Sequence, residues 1–316
     1  MMKIAFVFPG QGSQQVGMGN SFFLHHPVSR ATFEEASQVV GFDIASLCFS
    51  GPEDKLRLTT NTQLAILTVS IAGWRILEAD GISPQVVAGH SLGEYSALVV
   101  AGVLDFSSAL KLVFQRAKFM SEVSGGIMAA IIGLSKDRVE EICREISQWG
   151  IVEPANYNCP GQTVISGQEK AVEKAMLVCQ AAGARKAIPL RVSGPFHSSL
   201  MQTAGDKLTR EIENYFFSDP RVPIVTNVTG DYQTKGEEIK ALLVKQICHP
   251  IRWEESIRRM IDHGVNVFIE IGPGRVLSGL ISRINSQINV LNVEDNESFK
   301  KVQPILKQKE EDCASE

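Results

Sequence analysis

Residues 84–93, PQVVAGHSLG, constrain the fold more than any other stretch of the chain. A short apolar run ends in Gly89-His90-Ser91-Leu92-Gly93, and residues 94–101 continue with helical character. A strand that passes straight into a helix between two close glycines must turn a tight corner. Side chains at 89 and 93 would collide there, while Ser91 at the apex presents its Oγ with a helix N-terminus behind it. The N–H of Leu92, next in the chain, is then free to bind a developing oxyanion. G-x-S-x-G by itself arises often by chance, and an ordinary Gly-Ser turn is the bland alternative. Its position between strand and helix is what gives the match weight.

The rest of the chain repeats this alternation. Residues 3–8, 224–227 and 267–271 read as strands, and 28–48, 61–79, 106–123, 238–248 and 253–263 as helices. Strands spaced by helices predict an α/β fold with a mostly parallel sheet. Residues 126–191 keep a different rhythm, β-α-β-β-α-β, with a hairpin turn at Cys159-Pro160-Gly161; that order is the ferredoxin-like, split βαβ unit. The expected organisation is a discontinuous α/β domain, 1–125 and 192–306, interrupted by a ferredoxin-like subdomain at 126–191. The charged tail 307–316 is expected to lack structure.

At 316 residues and 44% hydrophobic, the chain can bury a sizeable core. Lys and Arg number 31 against 35 Asp and Glu, a net charge of -4, so the basic excess of a nucleic-acid binder is missing. The six cysteines are scattered without a metal-ligand spacing and read as reduced thiols of a cytoplasmic protein. The N-terminal apolar run is too short for a secretory signal, and residues 95–104 fall well below the ~20 residues that span a bilayer. Neither nucleic acid nor membrane is an expected partner.

A nucleophilic serine needs a base, and the six histidines differ in promise. His25 and His26 precede Pro27 in a polar loop and read as solvated. His249 sits in a loop before Pro250, and His263 ends a helix, where an imidazolium suits the dipole. His90 adjoins Ser91, but on a tight turn its ring should point away. His197, in SGPFHSS, follows the last subdomain strand as the chain re-enters the large domain, where sites tend to form; it is the candidate base, against the bland reading of a polar loop residue. Arg116 flanks the apolar stripe Leu110, Val113, Ala117 and Met120. It either snorkels to water or is held in a cleft to grip a carboxylate. Two glycine-rich stretches, GQGSQQ at 10–15 and GPGR at 272–275, complete no nucleotide-binding pattern; the first is better placed to supply N–H groups beside the serine.

FPGQGSQ (8–14), GHSLGEYSAL (89–98), QRAKFM (115–120), the hairpin at 158–167, SGPFHSSLM (193–201), KQICHPIRW (245–253) and EIGPGRVLSGL (270–280) run in order over nearly the whole chain. Together they resemble the malonyl-CoA:acyl-carrier-protein transacylase family. The resemblance implies a hydrolase-like α/β core carrying the inserted subdomain, and malonyl transfer from malonyl-CoA to holo acyl carrier protein for fatty-acid synthesis. It implies Ser91 as acylated nucleophile and His197 as base, with oxyanion-hole N–H groups from Gln11 and Leu92. Arg116 would bind the malonyl carboxylate, the main-chain carbonyl of Gln246 would orient His197, and Phe196 matches the malonyl-selective pattern. Ala117 departs from the glycine that many relatives carry. No metal or other cofactor is implied. Carrier proteins are acidic, which makes Arg185, Lys186 and Arg191 candidate contacts.

The nearest rival is a serine esterase or thioesterase, whose chain order Ser…Asp/Glu…His requires an acid before the histidine. Asp105 and Asp137 are the aspartates between Ser91 and His197, and both read as helix-start residues. A carrier-binding module without catalysis and a polyketide-type loading enzyme also fit parts of the pattern.

Overall fold

Alternate residues of the first strand, β1 (Ile4–Phe8), face opposite ways, and both ways are apolar. Ile4, Phe6 and Phe8 enter one core cluster, while Ala5 and Val7 enter a second. A strand buried on both faces belongs inside a parallel sheet covered by helices. The computed structural model describes residues 2–314, with side chains through residue 306.

After β1 come α1 (Asn20–His25), α2 (Pro27–Val40), α3 (Ile44–Ser50), α4 (Glu53–Leu56) and α5 (Thr59–Ala79). The corner follows as β2 (Val86–Gly89) and α6 (Gly93–Val100), then α7 (Phe106–Ser121). The middle of the chain forms β3 (Gly126–Ile132), α8 (Lys136–Ile146), β4 (Val152–Cys159), β5 (Gln162–Gln168), α9 (Glu169–Ala181) and β6 (Lys186–Pro189). The return comprises α10 (Gln202–Ile212), β7 (Ile224–Val225), β8 (Tyr232–Gln233), α11 (Gly236–Lys245) and α12 (Trp253–Asp262). It closes with β9 (Val267–Ile271), α13 (Val276–Ile284), β10 (Asn289–Val293) and α14 (Asn296–Ala314).

The fold is mixed α/β, with two separate sheets. The larger has the order β10-β9-β1-β2-β7-β8 and is parallel except for β8, which returns antiparallel to β7. The smaller, β4-β5-β3-β6, is antiparallel and shelters its own core of Ala129, Ile131 and Ile165 under α8 and α9. Backbone bonds from Tyr157 N to Ile251 O (2.9 Å) and Ile251 N to Ala155 O (2.8 Å) tie β4 to the segment that leads into α12.

Two expectations are corrected. The single helix expected over 28–48 is two helices, because Gly41 adopts φ +78° at the end of α2 and Asp43 caps α3 by accepting the Ser46 N–H. Helix α14 also carries the backbone into the charged tail as far as Ala314, since a helix already packed through Phe299 and Val302 can run on through Lys, Gln and Glu. The tail's side chains and its last two residues lie outside the described residues.

Candidate active site

Gly89 ends β2 opposite Phe8 of β1, and Gly93 opens α6. A Cβ on Gly89 would meet Gly93 C at 1.9 Å, and one on Gly93 would meet Phe8 O at 2.0 Å. Both glycines are therefore required by the approach of backbone to backbone. Ser91 between them has φ +50°, a left-handed conformation costing on the order of 1–3 kcal/mol for a side-chain-bearing residue. It is clamped at both ends. Its N–H donates to Asn227 Oδ1 at 2.7 Å, and its carbonyl accepts from Gln246 Nε2 at 3.0 Å.

His197, also left-handed at φ +60°, is held by its own N–H on Ile247 O at 3.1 Å. Its Nε2 lies 2.8 Å from Ser91 Oγ and its Nδ1 2.7 Å from Gln246 O. A carbonyl can only accept, so Nδ1 carries the proton and Nε2 is left bare to receive the serine's. Gln246 follows the last residue of α11, where helix carbonyls lack partners and the dipole is negative. A helix C-terminus thus stands where an acid stands in esterase triads. Burial, together with the nearby Arg116 guanidinium, drives the His197 imidazole down to about 3.

Arg116 is 1% exposed. Its Nη1 donates to Gln63 Oε1 at 2.7 Å, and its Nη2 to Gln246 Oε1 at 2.9 Å and to Ser91 Oγ at 3.1 Å. Between the two readings left open by the sequence, the structure decides for the cleft: the guanidinium does not reach water. Gln11 follows β1 and Leu92 precedes α6; both line the cleft at Ser91, and neither N–H has an acceptor among the described residues. Phe196, Met128, Leu190 and Val192 supply apolar wall.

His90 turns away from the serine as expected, with Nε2 on Asn158 Oδ1 at 2.9 Å and its ring edge-on to Trp253. His26, read as solvated, instead bonds Asn296 through Nε2 at 2.9 Å. Asp105 caps α7 and Asp137 lies in the first turn of α8, and the ring nitrogens of His197 are engaged by Ser91 and Gln246 instead of either acid.

Residues 5–312 match the acyl transferase domain family. A malonyl CoA-acyl carrier protein transacylase from Bacillus subtilis is 44% identical over 99% of this chain and 100% of its own length. The chain belongs to the malonyl CoA-acyl carrier protein transacylase family. It is accordingly an acyltransferase. Among solved structures, an acyl carrier protein S-malonyltransferase from Vibrio cholerae matches with a TM-score of 0.93 at 44% identity, covering 95% of this chain and 99% of that one. A malonyl-transacylase in complex with its type II PKS acyl-carrier protein matches with a TM-score of 0.93 at 45% identity, over 96% and 99% of the two chains.

Sequence reasoning missed the transacylase site's polar underlay: Gln63, Glu94, Asn227 and the side chain of Gln246. Each comes from a different element, and no spacing along the chain links them. Glu94 gave the one available signal, a charge inside an otherwise apolar helix.

Proposed function

We propose that this chain moves the malonyl group of malonyl-CoA to the phosphopantetheine thiol of acyl carrier protein, with Ser91 as the acylated nucleophile. One observation carries the reading. Ser91 Oγ lies 2.8 Å from the base nitrogen of His197 and 3.1 Å from a buried guanidinium, so nucleophile, base and carboxylate receptor share one atom's surroundings. His197 Nε2 takes the Ser91 proton as Oγ attacks the thioester carbonyl, and the tetrahedral oxyanion meets the Gln11 and Leu92 N–H groups. The C–S bond breaks, the imidazolium returns its proton to the CoA sulfur, and malonyl-Ser91 remains. The carrier thiol then attacks that ester by the same steps in reverse, giving malonyl carrier and free serine. The imidazolium formed in each step is supported by Gln246 O at the end of α11.

Arg116 accepts the malonyl carboxylate in two parallel N–H···O bonds, and Phe196 sets the apolar boundary of the acyl pocket. The smaller sheet with α8 and α9, strand order β4-β5-β3-β6, supports reading 126–191 as a ferredoxin-like insertion in a hydrolase-like core of 1–125 and 192–306. Exposed Arg191 stands between cleft residues Leu190 and Val192, and with Arg185 and Lys186 it suits an acidic carrier. The unpaired cysteines among the described residues suit a cytoplasmic enzyme supplying fatty-acid synthesis. An esterase reading is disfavoured because His197 Nδ1 faces a carbonyl and no acid. Intact-mass measurement after incubation with malonyl-CoA, followed by peptide mapping, tests the proposal. A malonyl adduct on Ser91, absent from Ser91→Ala, is the expected result; an adduct persisting in the alanine variant ends it.

A further inference from the structure

One buried carboxylate beneath the site takes no part in that mechanism. Glu94 lies in the first turn of α6, 1% exposed, and its Oε2 accepts from Gln246 Nε2 at 2.7 Å and from Asn227 N at 3.2 Å. The same Gln246 carboxamide gives Nε2 to Ser91 O and offers Oε1 to Arg116 Nη2. An amide can be turned end for end with little change in shape. Turned here, its oxygen would face the Glu94 carboxylate and the Ser91 carbonyl, and its NH2 would face a guanidinium that can only donate. Glu94 Oε2 already accepts from the Asn227 N–H and so faces the amide as an acceptor; it holds the NH2 on its own side and sends the oxygen to Arg116.

The same geometry leaves the guanidinium without a carboxylate partner among the described residues. Among the described residues no carboxylate stands within ion-pair distance of Arg116, and its hydrogen bonds go to two amide oxygens and the serine hydroxyl. A carboxylate directly on the guanidinium would occupy the edge that an acyl carboxylate needs. Glu94 acts on Arg116 from the far side of one amide, close enough to stabilise its charge.

We propose that Glu94 is a positioning residue for malonyl selection, fixing the Gln246 carboxamide so that Arg116 is oriented by amide oxygens without a protein carboxylate on its guanidinium. This rests on Arg116 being the malonyl receptor.

The test compares kcat and KM for malonyl-CoA and acetyl-CoA in the parent, Glu94→Gln, Glu94→Met and Arg116→Ala, with folding checked by thermal melts. Glu94→Gln keeps an acceptor oxygen and should hold the malonyl-over-acetyl preference within about threefold. Glu94→Met removes the acceptor at similar volume and should lower that preference by about tenfold or more, mainly through a higher KM for malonyl-CoA. If Glu94→Met does not fold, the exchange Glu94→Gln with Gln246→Glu keeps a bonded pair but turns the carboxylate onto Arg116. The malonyl KM should then rise about tenfold with no matching change for acetyl-CoA. A folded Glu94→Met with the parent's preference, or equal changes for both acyl groups, overturns the role of Glu94. If Arg116→Ala also keeps the parent's preference, the receptor reading itself has failed.

Discussion

At the scale of the residue, the role proposed for Arg116 has a buried guanidinium beside the serine reward one acyl group and penalise another. On the proposed reading malonyl-CoA brings a carboxylate that pairs with Arg116, whereas acetyl-CoA leaves that charge without a partner from the substrate. Removing one member of such a desolvated pair costs about 2–5 kcal/mol, or roughly 30- to several-thousand-fold. Arg116→Ala should therefore lose most malonyl transfer while acetyl transfer holds or rises, with Ser91 still labelled by a serine-reactive phosphonate. Paired kinetics on the two thioesters check this. His197 yields a second expectation. An ordinary histidine would give an acylation limb near pH 6.5. Burial lowers this imidazole to about 3, and the base works only when neutral, so the rate should stay level as pH falls through 6.5 and decline only in stronger acid. The profile of kcat/KM between pH 5 and 7 is best measured in Glu94→Gln, where residue 94 cannot titrate. A clear acid limb at 6.5 in that variant would contradict it.

At the scale of the element, what matters is where helices begin and end. The start of α6 lies against Ser91, and the end of α11 supplies the carbonyl for His197. The approach of α6 to β1 leaves no room for a methyl group at Gly93. Gly93→Ala should destabilise the protein by about 1–3 kcal/mol or more, because the obstacle is the Phe8 carbonyl, which cannot move without disturbing β1. Gly279, exposed within α13, is the contrast: a Cβ there meets nothing within 4 Å. Gly279→Ala should stabilise by ~0.5–1 kcal/mol through helix propensity alone. Urea unfolding of the two variants should move the midpoint in opposite directions.

At the scale of the whole molecule, buried ionisable groups couple folding to pH. Burial pushes the Glu94 carboxyl up to about 7, against the donors Gln246 and Asn227 that favour its charge. The folded protein therefore binds this proton more tightly than the unfolded chain. The resulting stability is fully present below an unfolded pKa of about 4.3 and is lost as pH rises through about 7. His197 works in the opposite sense, its contribution present above about 6.5 and lost as pH falls toward about 3. Gln at position 94 cannot titrate. The stability of Glu94→Gln relative to the parent should therefore grow between pH 4.5 and 8, by up to roughly 3 kcal/mol at about 1.4 kcal/mol per tenfold in proton affinity. Chemical unfolding at both pH values measures the difference, and a constant offset would refute it.

Local stereochemistry is legible along the chain. The unbroken apolar run at Ile4–Phe8 demands a buried strand, the glycines around Ser91 demand a corner, and Asp105 and Asp137 mark helix starts, as the structure bears out. The break at Gly41 was also written in the sequence, but the apolar pattern runs through it, and a periodicity argument cannot see one residue turning left-handed. Resemblance to a family pointed to Ser91, His197, Arg116 and the Gln246 carbonyl. What lies under them was decided only by the tertiary structure. Glu94, Asn227 and Gln246 stand far apart in sequence and meet through side-chain hydrogen bonds. Such bonds depend on distance and direction in space, which no periodicity along a chain encodes. Arg116 makes the same point. From its place beside an apolar stripe it could have reached water or entered a cleft, and the choice fell to Gln63 and Gln246, which arrive from other helix segments to accept its protons.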